Sequence, residues 1–330
     1  MRLGKLNLKN NLILAPMQNV TTGPYRRFCR KFHEIGLVCV PMFYSKGIAN
    51  NPELLEYELH EIEKERPISI QLIGSEPESI RKSIEYLESY KFDVLDINAG
   101  CPSKRAINSF QGGYLLKDLS KLEEVLNVAV KFSSNPVSLK TRIGFKNQFD
   151  LGVFQKIINN SGIEFLTIHA RTVKKRLDSS SLNLDVLKKL KELISIPIVG
   201  NGDITNPKFA KFFLDYTKVD AIMIGRGSMG NPEIFYQIHE YLTKGNEIPF
   251  KNNLKLMDEY VRIYKKVLDD YVNGIELNFA IDEYKFIELK RNSIWLTKEI
   301  KCSTEIRRKI SKAKNLKHLF NLISSILTTY

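Results

Sequence analysis

The strongest constraint on the fold is a recurrence of short, continuously apolar runs, most of them followed by a longer stretch of helical period. The runs span residues 12–17, 37–44, 68–74, 92–98, 136–144, 165–170, 196–201 and 221–225. Apolarity without alternation fits strands covered on both faces, as in a parallel sheet. Helical patterns at 76–90, 117–132, 184–194 and 207–216 supply crossovers. The first carries Pro77 near its start, where a missing N–H costs nothing. Eight such units predict an α/β chain closed into a TIM-type (β/α)8 barrel. The competing open, doubly wound sheet lacks its usual Gly-x-Gly-x-x-Gly after the first strand. A length of 330 residues suits one such barrel and a small appendage. Residues 231–244 read as the last barrel helix and 245–249 as a linker. The expected division is a barrel domain over 1–245 and a small all-α C-terminal domain over 246–330.

Charge then narrows the partners. Lys and Arg number 50 against 37 Asp and Glu, a net charge of +13. Within 285–318 there are eleven Lys or Arg against three Glu, beside an apolar face of Ile294, Trp295, Leu296, Ile300, Ile306, Ile310 and Leu316. Such a run is often only a solvated helix surface, but an excess of one sign favours a phosphate-bearing partner. The four cysteines, Cys29, Cys39, Cys101 and Cys302, form no CxxC pair and read as reduced thiols. No apolar run is long enough for a signal peptide or a membrane span, so a soluble, cytoplasmic protein is expected. No His, Cys or Asp spacing suggests a metal site. In the absence of an exposed apolar motif, a monomer is expected.

In a TIM barrel the chemistry sits at the C-terminal strand ends. Those ends carry Pro16-Met17-Gln18, Gln71, Asn98 with Cys101, Lys140 with Arg142, His169 with Arg171, Asn201-Gly202-Asp203 and Gly225-Arg226-Gly227. Few of these would be chosen to fill a core, and together they converge on one mouth. The glycine turns after strands seven and eight suit a phosphoryl group. Lys140 in mid-barrel calls for an anionic ligand, or else a salt bridge to a carboxylate such as Asp96. His169 alone reads equally as a hydrogen-bonded core histidine. Cys101 follows a strand that breaks at Gly100 and Pro102, with Lys104 and Arg105 just beyond. It is a nucleophile, a proton donor or an inert thiol. A free thiol, with a pKa near ~8.5, is mostly protonated at neutral pH and suits a general acid.

These segments resemble the tRNA-dihydrouridine synthases, flavin enzymes of the Dus family. The resemblance runs from Leu12-Ile13-Leu14-Ala15-Pro16-Met17 into the helical tail. It is most specific at Asp96-Ile97-Asn98-Ala99-Gly100-Cys101-Pro102-Ser103-Lys104, Leu139–Gly144, Ile168–Thr172, Gly200–Ile204 and Gly225–Pro232. It implies an FMN-bearing barrel whose C-terminal helices grip tRNA. NADPH would reduce the flavin, which passes hydride to C6 of a uracil while Cys101 protonates C5. FMN contacts carry over to Pro16, Met17, Gln18, Gln71, Lys140, His169, Asn201, Gly202, Asp203, Gly225 and Arg226. Asn98 and Arg142 would orient the uracil. Lys104, Arg105, Arg171, Arg307 and Arg308 would meet tRNA phosphates. The sequence departs from the family at Gln18-Asn19, at Phe43–Gly47 and at Leu177–Ser181. The alternatives are a small-molecule FMN ene-reductase or dihydroorotate-type dehydrogenase, which would need no basic tail, and a non-catalytic RNA-binding barrel, which would need no such strand ends.

Overall fold

A computed structural model describes residues 1–33, 35–56, 58–273, 275 and 280–329. Eight parallel strands close on themselves: β1 (Leu12–Leu14), β2 (Leu37–Cys39), β3 (Ile68–Ile73), β4 (Val94–Ala99), β5 (Val137–Arg142), β6 (Phe165–His169), β7 (Ile198–Asn201) and β8 (Ala221–Ile224). Each pairs with its neighbour in sequence, and β8 returns to β1 with Leu12 opposite Ile222. The seam between β2 and β3 is held in register by Val38 opposite Ile68. Six-residue strands such as β3 and β4 are buried along their whole length, as continuous apolarity requires.

The run at 37–44 forms two pieces rather than one strand. Pro41 has no N–H for the ladder, so β2 stops at Cys39 and Phe43–Tyr44 rejoins as a two-residue strand against the end of β3. A two-stranded hairpin, Arg2–Leu3 with Leu6–Asn7, precedes the barrel. It seats Leu3, Leu6 and Leu8 against Ile13, Leu37, Val94, Phe165, Val199 and Ala221, a cluster separate from the main core. An apolar plug thus fills one end of the barrel interior, and polar side chains are left to the other.

Helices cover the outside. α3 (Pro77–Leu87) and α8 (Pro207–Thr217) begin with proline in the first turn. Side-chain caps start several others: Asp118 accepts from Lys121 N at α5 (Leu119–Phe132), and Asn183 from Val186 N at α7 (Leu184–Leu193). The last barrel helix, Ile234–Lys244, ends at Gly245 in the left-handed conformation.

Beyond residue 253 the described residues form four helices: α10 (Leu254–Val272), α11 (Ile281–Trp295), α12 (Ser303–Ser311) and α13 (Leu316–Thr329). α10 and α11 pack on α1 (Gly23–Arg30) through edge-on aromatic contacts. The Phe28 ring lies 5.1 Å from Tyr264 and 6.4 Å from Tyr260, and Tyr25 lies 5.9 Å from Trp295. One continuous core runs through barrel shell and tail alike. Polar ties add to it. Arg291 donates to the carbonyl of Asn19, and Thr22 donates to the buried carboxyl of Glu288.

Candidate active site

A cavity of about 900 Å³ opens at the C-terminal strand ends. Twelve of the residues expected there line it: Pro16, Met17, Gln18, Lys140, Arg142, His169, Asn201, Gly202, Asp203, Gly225, Arg226 and Gly227. The glycines leave room that side chains would fill. Gly202 has φ +148, and a Cβ on it would stand 2.5 Å from Leu182 Cδ1. A Cβ on Gly225 would press the sulfur of Met17 at 3.3 Å.

The wall is electropositive. Lys140, Arg142, Arg226 and Lys298 line it together with one acid, Asp203. Arg226 Nη2 donates to Asp203 Oδ1 at 2.7 Å. Among the described residues Lys140 makes no ion pair, and Asp96 accepts instead from Gln71 and Ser138. Burial, then the Arg142 charge, pushes the Lys140 ammonium down to about 8. An uncompensated ammonium in a half-closed cavity fits an anionic ligand better than a core salt bridge.

His169 ends β6, and its Nε2 lies 3.0 Å from Arg171 Nη1. Guanidinium can only donate, so Nε2 accepts and the neutral ring carries its proton on Nδ1. Burial, then the neighbouring Arg142 and Lys140 charges, drives the His169 pKa far below its ordinary value. Arg171 itself is fully buried. Its Nε donates to Asp178 O, Nη1 to His169 and Asp203, and Nη2 to Ser179 O and Asp203. No N–H remains for an RNA phosphate. The structure therefore gives Arg171 a different task from the expected one: it braces the β6 and β7 loops beneath the cavity.

Arg142 is also largely inward. Nε donates to Gly100 O at 2.9 Å, and Nη1 to Thr172 O and Arg176 O at 3.1 and 2.8 Å. Its Nη2 has no partner among the described residues and is free for a ligand.

Cys101 lies at the edge of this wall, beside the lining residue Pro102. It is half-buried, unlike the buried Cys29 and Cys39 and the exposed Cys302. Its N–H donates to Asn98 Oδ1 at 2.9 Å, and its Sγ lies 3.4 Å from Ser103 Oγ. Ser103 in turn caps α4 (Lys104–Asn108) by accepting from Ala106 N. Behind the loop stands Gln71, which accepts from Asn98 Nδ2 at 2.8 Å. Lys104 and Arg105 are exposed on α4, and Arg105 stacks over the Tyr44 ring at 4.1 Å. Arg307 and Arg308 lie on α12, exposed, with Arg307 Nε donating to Thr297 Oγ1.

Other lining residues were not singled out from sequence. Lys298, in the turn after α11, reaches the cavity from the C-terminal helices. Only its place in the basic tail hinted at it. Leu177 and Ser179 belong to the divergent loop after β6 and also line the wall. No group of three or more His, Cys, Asp or Glu that could hold a metal occurs among the described residues. No helix among them is long and apolar enough to cross a membrane.

Comparison with known proteins converges on one family. The chain matches the dihydrouridine synthase family, Dus, over residues 13–328. It is 34% identical over 320 residues to a tRNA-dihydrouridine synthase B of Vibrio parahaemolyticus, covering 93% of this chain and 92% of that one. A Pasteurella multocida protein of the same description is 37% identical over 250 residues, covering 74% and 73%. A probable tRNA-dihydrouridine synthase of Rickettsia prowazekii is 30% identical, covering 95% and 93%. Among solved structures, histamine dehydrogenase from a Rhizobium species superposes with a TM-score of 0.57 at 13% identity, over 73% of this chain and 47% of its own. That likeness shows a shared barrel fold. By the match over nearly its whole length, and by a relative that aligns over 93% of this chain and 92% of its own, the chain belongs to the dihydrouridine synthase family of enzymes.

Proposed function

We propose that this chain reduces the C5–C6 double bond of specific uridines in tRNA, with FMN as resident cofactor and NADPH as reductant, acting as a cytoplasmic monomer. The observation that carries this is the juxtaposition of a held, half-buried thiol with an electropositive cavity. Pro102 of the Cys101 loop lines the same cavity as the two glycine turns after β7 and β8.

FMN fits the residues present. The Gly202 and Gly225 turns leave space beside Arg226 for a phosphate, and Lys140 offers an unpaired ammonium to an electron-rich ring. When bound, FMN supplies the hydride that reaches uracil C6. The chain provides the remaining chemistry. Lys140 and Arg142 hold negative charge near the ring, while neutral His169 presents a proton on Nδ1. Asn98 spends Oδ1 on two backbone N–H groups and one Nδ2 hydrogen on Gln71, and the other meets only the weak acceptor Met42 Sδ at 3.7 Å, which a uracil carbonyl would displace. Arg142 Nη2 is available for the second carbonyl. The Cys101 thiol delivers its proton to C5. A base within folded tRNA has to be turned out of its stack to enter. The barrel over 1–245 would do the chemistry while the helices over 246–330, with Arg307 and Arg308, and the α4 cations Lys104 and Arg105 bind the RNA backbone.

The test is nucleoside mass spectrometry of tRNA incubated with the flavin-loaded protein and NADPH. A two-dalton gain on defined uridines is expected. Bound flavin with no such gain would point instead to a small-molecule ene-reductase or dihydroorotate-type dehydrogenase.

A further inference from the structure

Beneath the cavity floor a run of hydrogen bonds crosses three strands and ends on the backbone of the cysteine loop. Ser138 Oγ on β5 donates to Asp96 Oδ1 at 2.6 Å, and Gln71 Nε2 on β3 donates to Asp96 Oδ2 at 2.6 Å. Asn98 Nδ2 donates to Gln71 Oε1 at 2.8 Å, and the N–H groups of Gly100 and Cys101 donate to Asn98 Oδ1 at 3.0 and 2.9 Å. Asp96, Gln71, Ser138 and Asn98 are all buried. Every donor in the run points toward Asp96. A side-chain amide has one accepting end and one donating end, so the polarity of each link is fixed by the one before it. Only a carboxylate accepts on both oxygens and donates on neither.

We propose that Asp96 is the positioning residue of this site: its buried carboxylate sets the amide orientation of Gln71 and Asn98, and through them the placement of the Cys101 loop. Reversing Gln71 would turn its donating end toward Asn98. Asn98 would have to reverse in turn and would present Nδ2 to the two loop N–H groups, donor against donor. The loop would then shift, and displacement on the order of 1 Å costs about 100-fold in rate. Asp96 touches neither the cavity nor the thiol, so its effect passes through its neighbours. Around it stand Lys140 on β5 and Cys39 on β2, and burial raises the carboxyl to about 6, with the Gln71 and Ser138 bonds and then Lys140 opposing. Protonation removes one acceptor and frees the polarity of the run.

The inference rests on the proposed uridine reduction for its rate measurements, and on amide exchange for a readout independent of turnover. In flavin-loaded Asp96→Ala, kcat for tRNA reduction is expected to fall about 100-fold with KM little changed, and exchange at Gly100 and Cys101 to quicken at least tenfold. Asp96→Asn presents the same one acceptor and one donor as the protonated acid, so at every pH it should run near the wild type's low-pH rate. Wild type should lose kcat as pH drops through about 6, and Asp96→Asn should not. A folded Asp96→Ala with unchanged exchange at these amides overturns the proposal, as does an Asp96→Asn enzyme that keeps the acid limb. Wild-type protein without uridine reduction would sink the functional proposal alone, leaving the exchange data to decide this one.

Discussion

The guanidinium of Arg171 is fully buried, and it grips the carboxylate of Asp203 while its Nη1 also meets His169 Nε2 at 3.0 Å. Asp203 reaches in the other direction to Arg226 on the β8 loop. Three consecutive strand ends, β6, β7 and β8, are thus joined by one carboxylate and two guanidiniums. The ring of His169 is held in its Nδ1–H tautomer as a by-product.

Removing Arg171 should therefore be a stability defect first. Arg171→Leu leaves Asp203 with only the more exposed Arg226 and frees the carbonyls of Asp178 and Ser179. Because Asp203 is part-exposed and keeps Arg226, a loss of about 1–3 kcal/mol is expected, read from urea denaturation of the wild type and the variant. Arg171→Lys cannot reproduce five directed N–H donors and should recover little of it. A variant as stable as wild type would mean that the pair contributes nothing net.

Lys140 gives a pH signature with a definite sign. Its folded pKa is pushed down to about 8, against an ordinary value near ~10.4 when unfolded. Between those values the unfolded chain binds more protons than the folded one, so stability rises as pH climbs from 8 toward 10. Below 8 the buried charge carries its full penalty. Lys140→Met should abolish that rise and stabilise the flavin-free protein at neutral pH by on the order of 2 kcal/mol. The same variant should bind FMN at least tenfold more weakly, by fluorescence titration. Tight flavin binding in the variant would remove Lys140 from the cofactor site.

How much of this could be read beforehand follows from what each feature depends on. The barrel was legible because buried parallel strands need continuous apolar runs, and the run at 92–98 forms a strand, Val94–Ala99, buried throughout. The break after β2 was missed because Pro41 sits inside an apolar stretch, where hydropathy hides the lost ladder N–H. Strand ends concentrate polar residues, so twelve cavity residues from Pro16 to Gly227 could be named from position alone. Their division of labour could not. Whether Arg171 faces RNA or Asp203 depends on side-chain direction and on the course of the divergent 177–181 loop. Lys298 was hidden for another reason: it arrives from the helical tail, and its docking against Gly230 has no local sequence signal.

For Cys101 the expected separation is between binding and chemistry. Cys101→Ala removes one sulfur from a half-buried site and leaves every backbone bond of its loop in place. Flavin content and tRNA affinity should stay within about twofold of wild type, while uridine reduction falls by at least 100-fold, the scale of a lost general acid. Single-turnover mass spectrometry of the tRNA checks this. Reduction at the wild-type rate would refute the proton-donor role.

The tail makes a prediction about salt rather than rate. Arg307 and Arg308 are exposed on α12, in the stretch where cations outnumber acids eleven to three. Among the described residues Arg307 spends only Nε, on Thr297, and its Nη1 and Nη2 make no bond. Each phosphate contact releases condensed counterions, and a lost contact lowers the slope of log affinity against log salt by about 0.7–0.9. Arg307→Gln with Arg308→Gln should flatten that slope by roughly 1.5 and weaken tRNA binding most at low salt. Neither residue lines the cavity, so the flavin spectrum serves as a control and should not move. An unchanged slope would take α12 out of the RNA interface and leave the exposed α4 pair, Lys104 and Arg105, as the next cations to neutralise.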